Sequence, residues 1–234
     1  MNKKPMNILI ACEESQAVCK AFREKGHNAF SCDIIDCSGG HPEWHIKGDV
    51  RKILNPKDHY HRLGKSIIFT TCDGSKYEIV GKWDMIIAHP PCEKLTNTGN
   101  PYLNVKKWGE KAIQRAKDRE KAFDFFMLFA NADCDKICIE NPIGYPNTHY
   151  RKPNQIIQPW QFGHPFTKAT CLWLKGLNPL KPLTTEKPIG CKSYAWETMI
   201  DERGKTISWN SELSKKLRSK TFEGIAKAMA EQWG

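Results

Sequence analysis

The sequence predicts an α/β protein built on a doubly wound, mostly parallel sheet, and three observations carry that expectation. The chain opens with an apolar strand, an amphipathic helix and a second strand closing on Asp33, the usual start of a nucleotide-binding sheet. Two later apolar runs, 83–88 and 136–140, are short and continuous, as strands buried on both faces are. Each runs into a proline-bearing motif, Pro90-Pro91-Cys92 and Glu140-Asn141-Pro142. A thiol and a carboxyl group therefore stand at the carboxyl ends of buried strands, where open α/β sheets gather their ligands.

Taken in order, Asn7–Ala11 is the first buried strand. Ser15 is placed to cap a helix over 16–25, with Ala17, Val18, Ala21 and Phe22 on one face and Gly26 as its stop. The second strand spans 29–34. Residues 66–71 and 76–80 flank Asp73-Gly74, a strong hairpin signal, read as an insertion of about 64–81. After the strand at 83–88, residues 93–104 are rich in Asn, Thr, Gly and Pro and read as a mobile loop. The segment 106–130 keeps helical spacing through Trp108, Ala112, Ile113, Ala116, Phe123, Phe126 and Ala130, with a lysine- and arginine-rich first half. Beyond Pro142 the pattern blurs; a second hairpin is expected at Arg203-Gly204 and a closing helix over 221–232. The domain reading is a catalytic core over 1–180, a minimal recognition segment over 181–218 and a terminal helix over 219–234.

A chain of 234 residues supports a substantial core, and its formal net charge of +10 points to a polyanionic partner, nucleic acid first. Of the ten cysteines, Cys12, Cys32, Cys138 and Cys171 lie in or beside apolar runs, as reduced thiols do. No leader-like or membrane-spanning apolar stretch is present in the sequence, so the expectation is a reduced, cytoplasmic protein of a bacterial or phage-infected cell, without membrane contact and monomeric.

The two motifs together resemble those of the cytosine-C5 DNA methyltransferases, which use S-adenosylmethionine (SAM) as methyl donor. Phe162-Gly163-His164-Pro165, continuing into Phe166-Thr167-Lys168-Ala169-Thr170, is similar to that family's Tyr-Gly-x-Pro-Gln-x-Arg-x-Arg segment. The run 224–230 looks like its closing helix. The resemblance implies a Rossmann-like class I SAM-dependent methyltransferase sheet with a small irregular C-terminal recognition region.

It also implies roles. Carbon 5 of cytosine is a weak nucleophile until a thiolate adds at carbon 6, and an acid near ring nitrogen 3 assists that addition. Cys92 would be the nucleophile and Glu140 the acid, with Pro91, Asn141 and Lys168 completing the catalytic set. Cofactor contacts would come from Cys12, Glu13 (the methionine ammonium), Asp33 (ribose hydroxyls), Asp49 (the adenine amino group), His89 and Pro90. DNA, presenting a flipped or single-stranded cytosine, would meet Lys215, Lys216, Arg218, Lys220, Thr96 and Asn97. No metal is implied.

Three departures from the family pattern stand out. The first loop reads Ala11-Cys12-Glu13-Glu14-Ser15-Gln16 where the family has glycines. Lys168 and Thr170 replace two arginines, and lysine offers one charge-assisted bond where arginine offers a fork. The interval 171–220 leaves little room for a recognition domain, so a short or relaxed target sequence is expected. Competing readings are a degenerate DNA-binding module and the same chemistry on RNA or a free nucleotide. His41-Pro42-Glu43 matches part of the zinc deaminase signature, but Cys92 lacks the second cysteine that signature needs.

Overall fold

The computed structural model describes residues 4–55, 57–58, 65–201 and 203–234. In chain order the elements are β1 (Asn7–Ala11), α1 (Ala17–Glu24), β2 (Asn28–Asp33), β3 (His45–Lys47), β4 (Lys57–Asp58), β5 (Lys65–Thr70), β6 (Lys76–Val80) and β7 (Met85–Ala88). There follow α2 (Val105–Trp108), α3 (Glu110–Ala130), β8 (Ile137–Pro142), α4 (Pro146–His149), β9 (Gln155–Ile157), β10 (Phe166–Thr167) and β11 (Thr170–Lys175). The chain closes with β12 (Lys192–Ser193), α5 (Tyr194–Glu197), α6 (Glu212–Ser219) and α7 (Glu223–Trp233).

Seven strands form the central sheet in the order β3-β2-β1-β7-β8-β11-β9. The first five are parallel, and β11 runs antiparallel to both β8 and β9. This is the doubly wound, Rossmann-like α/β sheet expected from the sequence. The alternation within each buried strand separates two cores. Leu9, Ala11, Ile86, Ala88, Ile137 and Ile139 face Phe126 and Phe129 of α3. Ile8, Ile10, Met85, Ile87 and Cys138 face α1 and α7, which contribute Val18, Phe22, Ala226, Met229 and Trp233.

Several elements differ from expectation. The long helix is broken at Gly109, whose φ of 53° is open to glycine and strained for other residues. Ser15 does not cap α1. Gln16 takes the N-cap position in a left-handed conformation without a side-chain cap bond, and the Glu13 carboxylate instead accepts the Val18 and Cys19 amides at 2.6 and 3.2 Å. The Asp73-Gly74 hairpin forms as β5–β6, joined by β4, and buries Ile67, Phe69 and Ile79 in the α3-side core. Around Gly204 there is a tight turn closed by one Ile200–Thr206 bridge, rather than a hairpin of strands.

The loop 93–104 is the largest correction. It contains a 3-10 segment over Asn97–Leu103, and two arginines of α3 hold it. Arg119, only 6% exposed, donates to the Lys94 carbonyl at 3.0 Å and to Asn100 Oδ1 at 2.8 Å; Arg115 donates to the carbonyls of Gly99 and Glu93. Bonds from a neighbouring helix restrain a segment whose own composition reads as mobile. No described helix is long and apolar enough to cross a membrane.

Candidate active site

The register of two parallel strands builds the site. Ala88 of β7 pairs with Ile139 of β8, so the next residue on each strand, His89 and Glu140, emerges side by side at the carboxyl edge. Their side chains meet, His89 Nδ1 lying 3.1 Å from Glu140 Oε2, with exposures of 8% and 19%. One residue further, Asn141 Nδ2 donates to the Pro90 carbonyl at 2.8 Å. The two motifs are thus latched twice. Proline fixes φ and brings no amide donor, so the paired Pro90-Pro91 carries the chain out of the sheet without leaving N–H groups to satisfy. Pro90 is buried, Pro91 exposed and Cys92 half-buried. The Cys92 carbonyl then accepts the amides of Leu95 and Thr96 at 2.9 and 3.0 Å, which turns the chain sharply back.

Charge at this corner is arranged in a definite order. Burial acts against a charged His89, but the hydrogen bond and charge of Glu140, with Glu13 behind it, outweigh burial and raise the imidazole pKa. Burial would push Glu140 up, yet His89, Lys168 and the Thr170 hydroxyl bring it below the ordinary carboxylate range. The resting pair therefore favours imidazolium and carboxylate. Burial, then the Glu140 charge, raises the Cys92 thiol; Lys168 and Arg218 act the other way. His89 Nε2 and Asn141 Oδ1 are buried without a hydrogen-bond partner.

Lys168 enters from the segment between β10 and β11. Its Nζ donates to the Arg218 carbonyl at 2.7 Å and lies 5.8 Å from the ring centroids of both Tyr194 and Phe222. With Glu140, Thr170, Phe222, Ile225 and Met229 it lines a narrow crevice. Arg218 is not an exposed phosphate contact. It stacks 3.7 Å from the Trp209 ring and donates to the Trp209 carbonyl and Ser214 Oγ. Lys215, Lys216 and Lys220 are all exposed, and Lys215 is paired with Glu212 at 2.8 Å. The expected four-residue basic cluster is therefore divided. Thr96 bonds Thr98 at 2.9 Å and bridges to Gly144; Asn97 is exposed beside it.

The other expected residues lie at the carboxyl ends of β1 to β3. Cys12, with φ of 59°, stands directly after β1, where Asp33 and Asp49 raise its pKa after burial itself. Burial raises Asp33 in turn. Asp49 caps a 3-10 turn and is engaged by Arg51 at 2.6 Å. Glu13 is committed to capping α1, so the expectation that it meets a ligand ammonium is corrected. Its neighbour Glu14, which sequence reasoning passed over, has a buried Oε2 without a partner. The paired acids Glu13-Glu14 gave no sign of which would turn inward.

At this edge Glu14 offers an orphaned carboxylate oxygen and Asp33 a partly desolvated acceptor, followed in the chain by the exposed apolar Ile34 and Ile35. Gln16 fixes the loop behind it. Its amide bonds Ser31 Oγ, the His41 carbonyl and the His41 amide, at 3.3, 2.8 and 3.0 Å. His41 itself stacks on Trp44 and pairs with Glu43, a packing role.

No family model and no curated protein matches the chain. Among solved structures it is similar to the Entamoeba histolytica methyltransferase EhMeth, at 12% identity and a TM-score of 0.39, over 86% of this chain and 61% of that one. The chain thus spans about three fifths of that structure's length.

Proposed function

We propose that the chain is a SAM-dependent methyltransferase acting on carbon 5 of cytosine in DNA, with short or relaxed sequence specificity. The observation that carries this reading is the double latch holding Cys92 and Glu140 at adjacent strand ends, with Lys168 facing them. SAM, held by Glu14, Asp33 and the Cys12 turn, supplies an electrophilic methyl group when bound.

The protein's part is to make carbon 5 nucleophilic. Cys92 Sγ forms a bond to carbon 6, and the ring electrons move toward carbon 5 and nitrogen 3. The proton held by His89 passes through Glu140 to nitrogen 3 as negative charge develops there, and Lys168 donates toward the ring carbonyl oxygen. After methylation nitrogen 3 returns its proton to Glu140, solvent water takes the carbon 5 proton, and the electrons of that bond re-form the carbon 5–carbon 6 double bond as Cys92 leaves as thiolate. Burial and the Glu140 charge hold the thiol up, and Lys168 and Arg218 are the charges that favour its thiolate.

The test is covalent trapping. Incubation with SAM and DNA containing 5-fluorocytosine should leave an adduct on Cys92, read by intact mass and peptide mapping, because fluorine cannot leave as the proton does. An adduct elsewhere, or one formed equally by Cys92→Ala, removes the reading. DNA binding without any adduct would favour the degenerate binding module.

A further inference from the structure

Outside the catalytic corner, three elements converge on a surface of unusual make-up. Tyr102 of the 3-10 segment is 51% exposed and Trp108 of α2 is 37% exposed. Their rings lie 5.4 Å apart at 44°. Arg115 of α3 sits 5.5 Å from the Tyr102 ring and Lys107 5.4 Å from that of Trp108. Between them is an open depression of about 350 Å³, rimmed by Lys94, Lys111 and Arg115, with Asp118 as its one carboxylate. Asp118 accepts from Gln114 at 2.8 Å and keeps its charge, Lys94 is paired with Glu93 at 3.0 Å, and the cations of the rim outnumber its carboxylate.

We propose that Tyr102 and Trp108 form a stacking shelf for an unpaired base of the DNA strand whose cytosine enters the Cys92 site, an inference that rests on the function proposed above. Two half-exposed aromatic rings beside four cations match a base flanked by phosphates: stacking accepts any base, and the cations track the backbone. A protein partner would instead favour a larger apolar face with few charges. The shelf is also tied to the nucleophile. Arg115 lies over Tyr102 and donates to the carbonyl of Glu93, the residue after Cys92, so one side chain joins the shelf to the segment that carries the thiol. The break at Gly109 separates Trp108 from α3, where continuous helix would have placed it in the same row as Lys111 and Arg115.

The proposal predicts a preference for single strands. Binding of a fluorescein-labelled oligodeoxynucleotide, as single strand and as duplex, would be followed by anisotropy over a range of salt. Trp108→Ala and Tyr102→Ala should each weaken single-strand binding by about 5- to 100-fold, leave its salt slope unchanged and barely alter duplex binding. Trp108→Phe should retain most of the affinity, which separates stacking from misfolding. Lys111→Gln should lower the salt slope by about one. Equal losses on single strand and duplex, no loss at all, or tighter Trp108-dependent binding of the matching RNA would overturn the shelf. Fluorocytosine trapping read on the same variants keeps the two ideas apart. Adduct formation with unchanged single-strand affinity removes only the shelf, and absent adducts with Trp108-dependent binding removes only the chemistry.

Discussion

His89 and Glu140, one residue beyond the paired ends of two parallel strands, meet at 3.1 Å in a corner nearly closed to water. The pair has a clear signature in stability. Glu140 has a lowered folded pKa, so its contribution is present above its ordinary value of 4.5 and is lost as pH falls through the folded value. His89 has a raised folded pKa, so its contribution is complete below its ordinary value of 6.5 and is lost as pH rises through the folded value. We therefore expect His89→Gln to cost most between about pH 4.5 and 6.5, by about 1–3 kcal/mol, and less on either side. Urea denaturation of both proteins across this range checks it; a cost independent of pH would show that His89 only packs.

Reactivity and catalysis should part company at Cys92. Burial and the Glu140 charge hold the thiol up, so Glu140→Gln removes one of the two restraints. Iodoacetamide should then alkylate Cys92 faster at neutral pH, by roughly threefold for each unit the thiol pKa falls, because a larger thiolate fraction is partly offset by a weaker nucleophile. Lys168→Met should slow it. In the same Glu140→Gln protein the fluorocytosine adduct should be lost or strongly reduced. Alkylation rates that ignore both substitutions would mean that neither charge reaches the sulfur.

Strain at Cys12 gives a stability test that is independent of function. A left-handed φ of 59° costs a side-chain-bearing residue about 1 kcal/mol, which glycine avoids. Cys12→Gly relieves the strain but loses a partly buried thiol and gains unfolded-state freedom, so its net effect should stay within about 1 kcal/mol. Cys12→Val, which is β-branched, should destabilise by about 2 kcal/mol or more. The ranking, measured by chemical denaturation, matters more than either value; equal effects would contradict the left-handed turn.

What the sequence disclosed follows a physical division. Buried parallel strands are near-continuous apolar runs, so β1, β7 and β8 were legible to within a few residues, and the reactive ends of β7 and β8 with them. The His89–Glu140 contact was not seen, although both residues were named separately, because register is a property of two strands together. The cap of α1 was misassigned to Ser15 because a left-handed Gln16 leaves no local trace, and Glu13 reached the helix instead of a ligand. Periodicity passed across Gly109 because the apolar spacing continues on both sides of the break. Arg218 looked like one of four equivalent cations until Trp209 and Ser214 claimed it.

The segment following Cys92 shows the same division and leads to the last expectation. Its composition describes a loop, but Arg119 and Arg115 bind it from α3, and Gly144 packs so closely that an added Cβ would lie 2.0 Å from the Leu95 carbonyl oxygen. Arg119→Ala removes two charge-assisted bonds from a buried position and should cost about 2–3 kcal/mol. Because those bonds hold 94–100 to the helix, amide hydrogen exchange should speed up there before the central strands respond. Gly144→Ala should displace Leu95 from the other side and produce the same local pattern, since a carbonyl oxygen within a hydrogen-bonded turn cannot move without the turn. If either substitution lowers global stability while exchange at 94–104 keeps pace with β7 and β8, the segment is part of the core's cooperative unit rather than a strapped arm. Under the proposed function the strapped arm has a kinetic consequence as well: loosening it should reduce kcat more than it raises KM, because the thiol it positions acts after the base is bound.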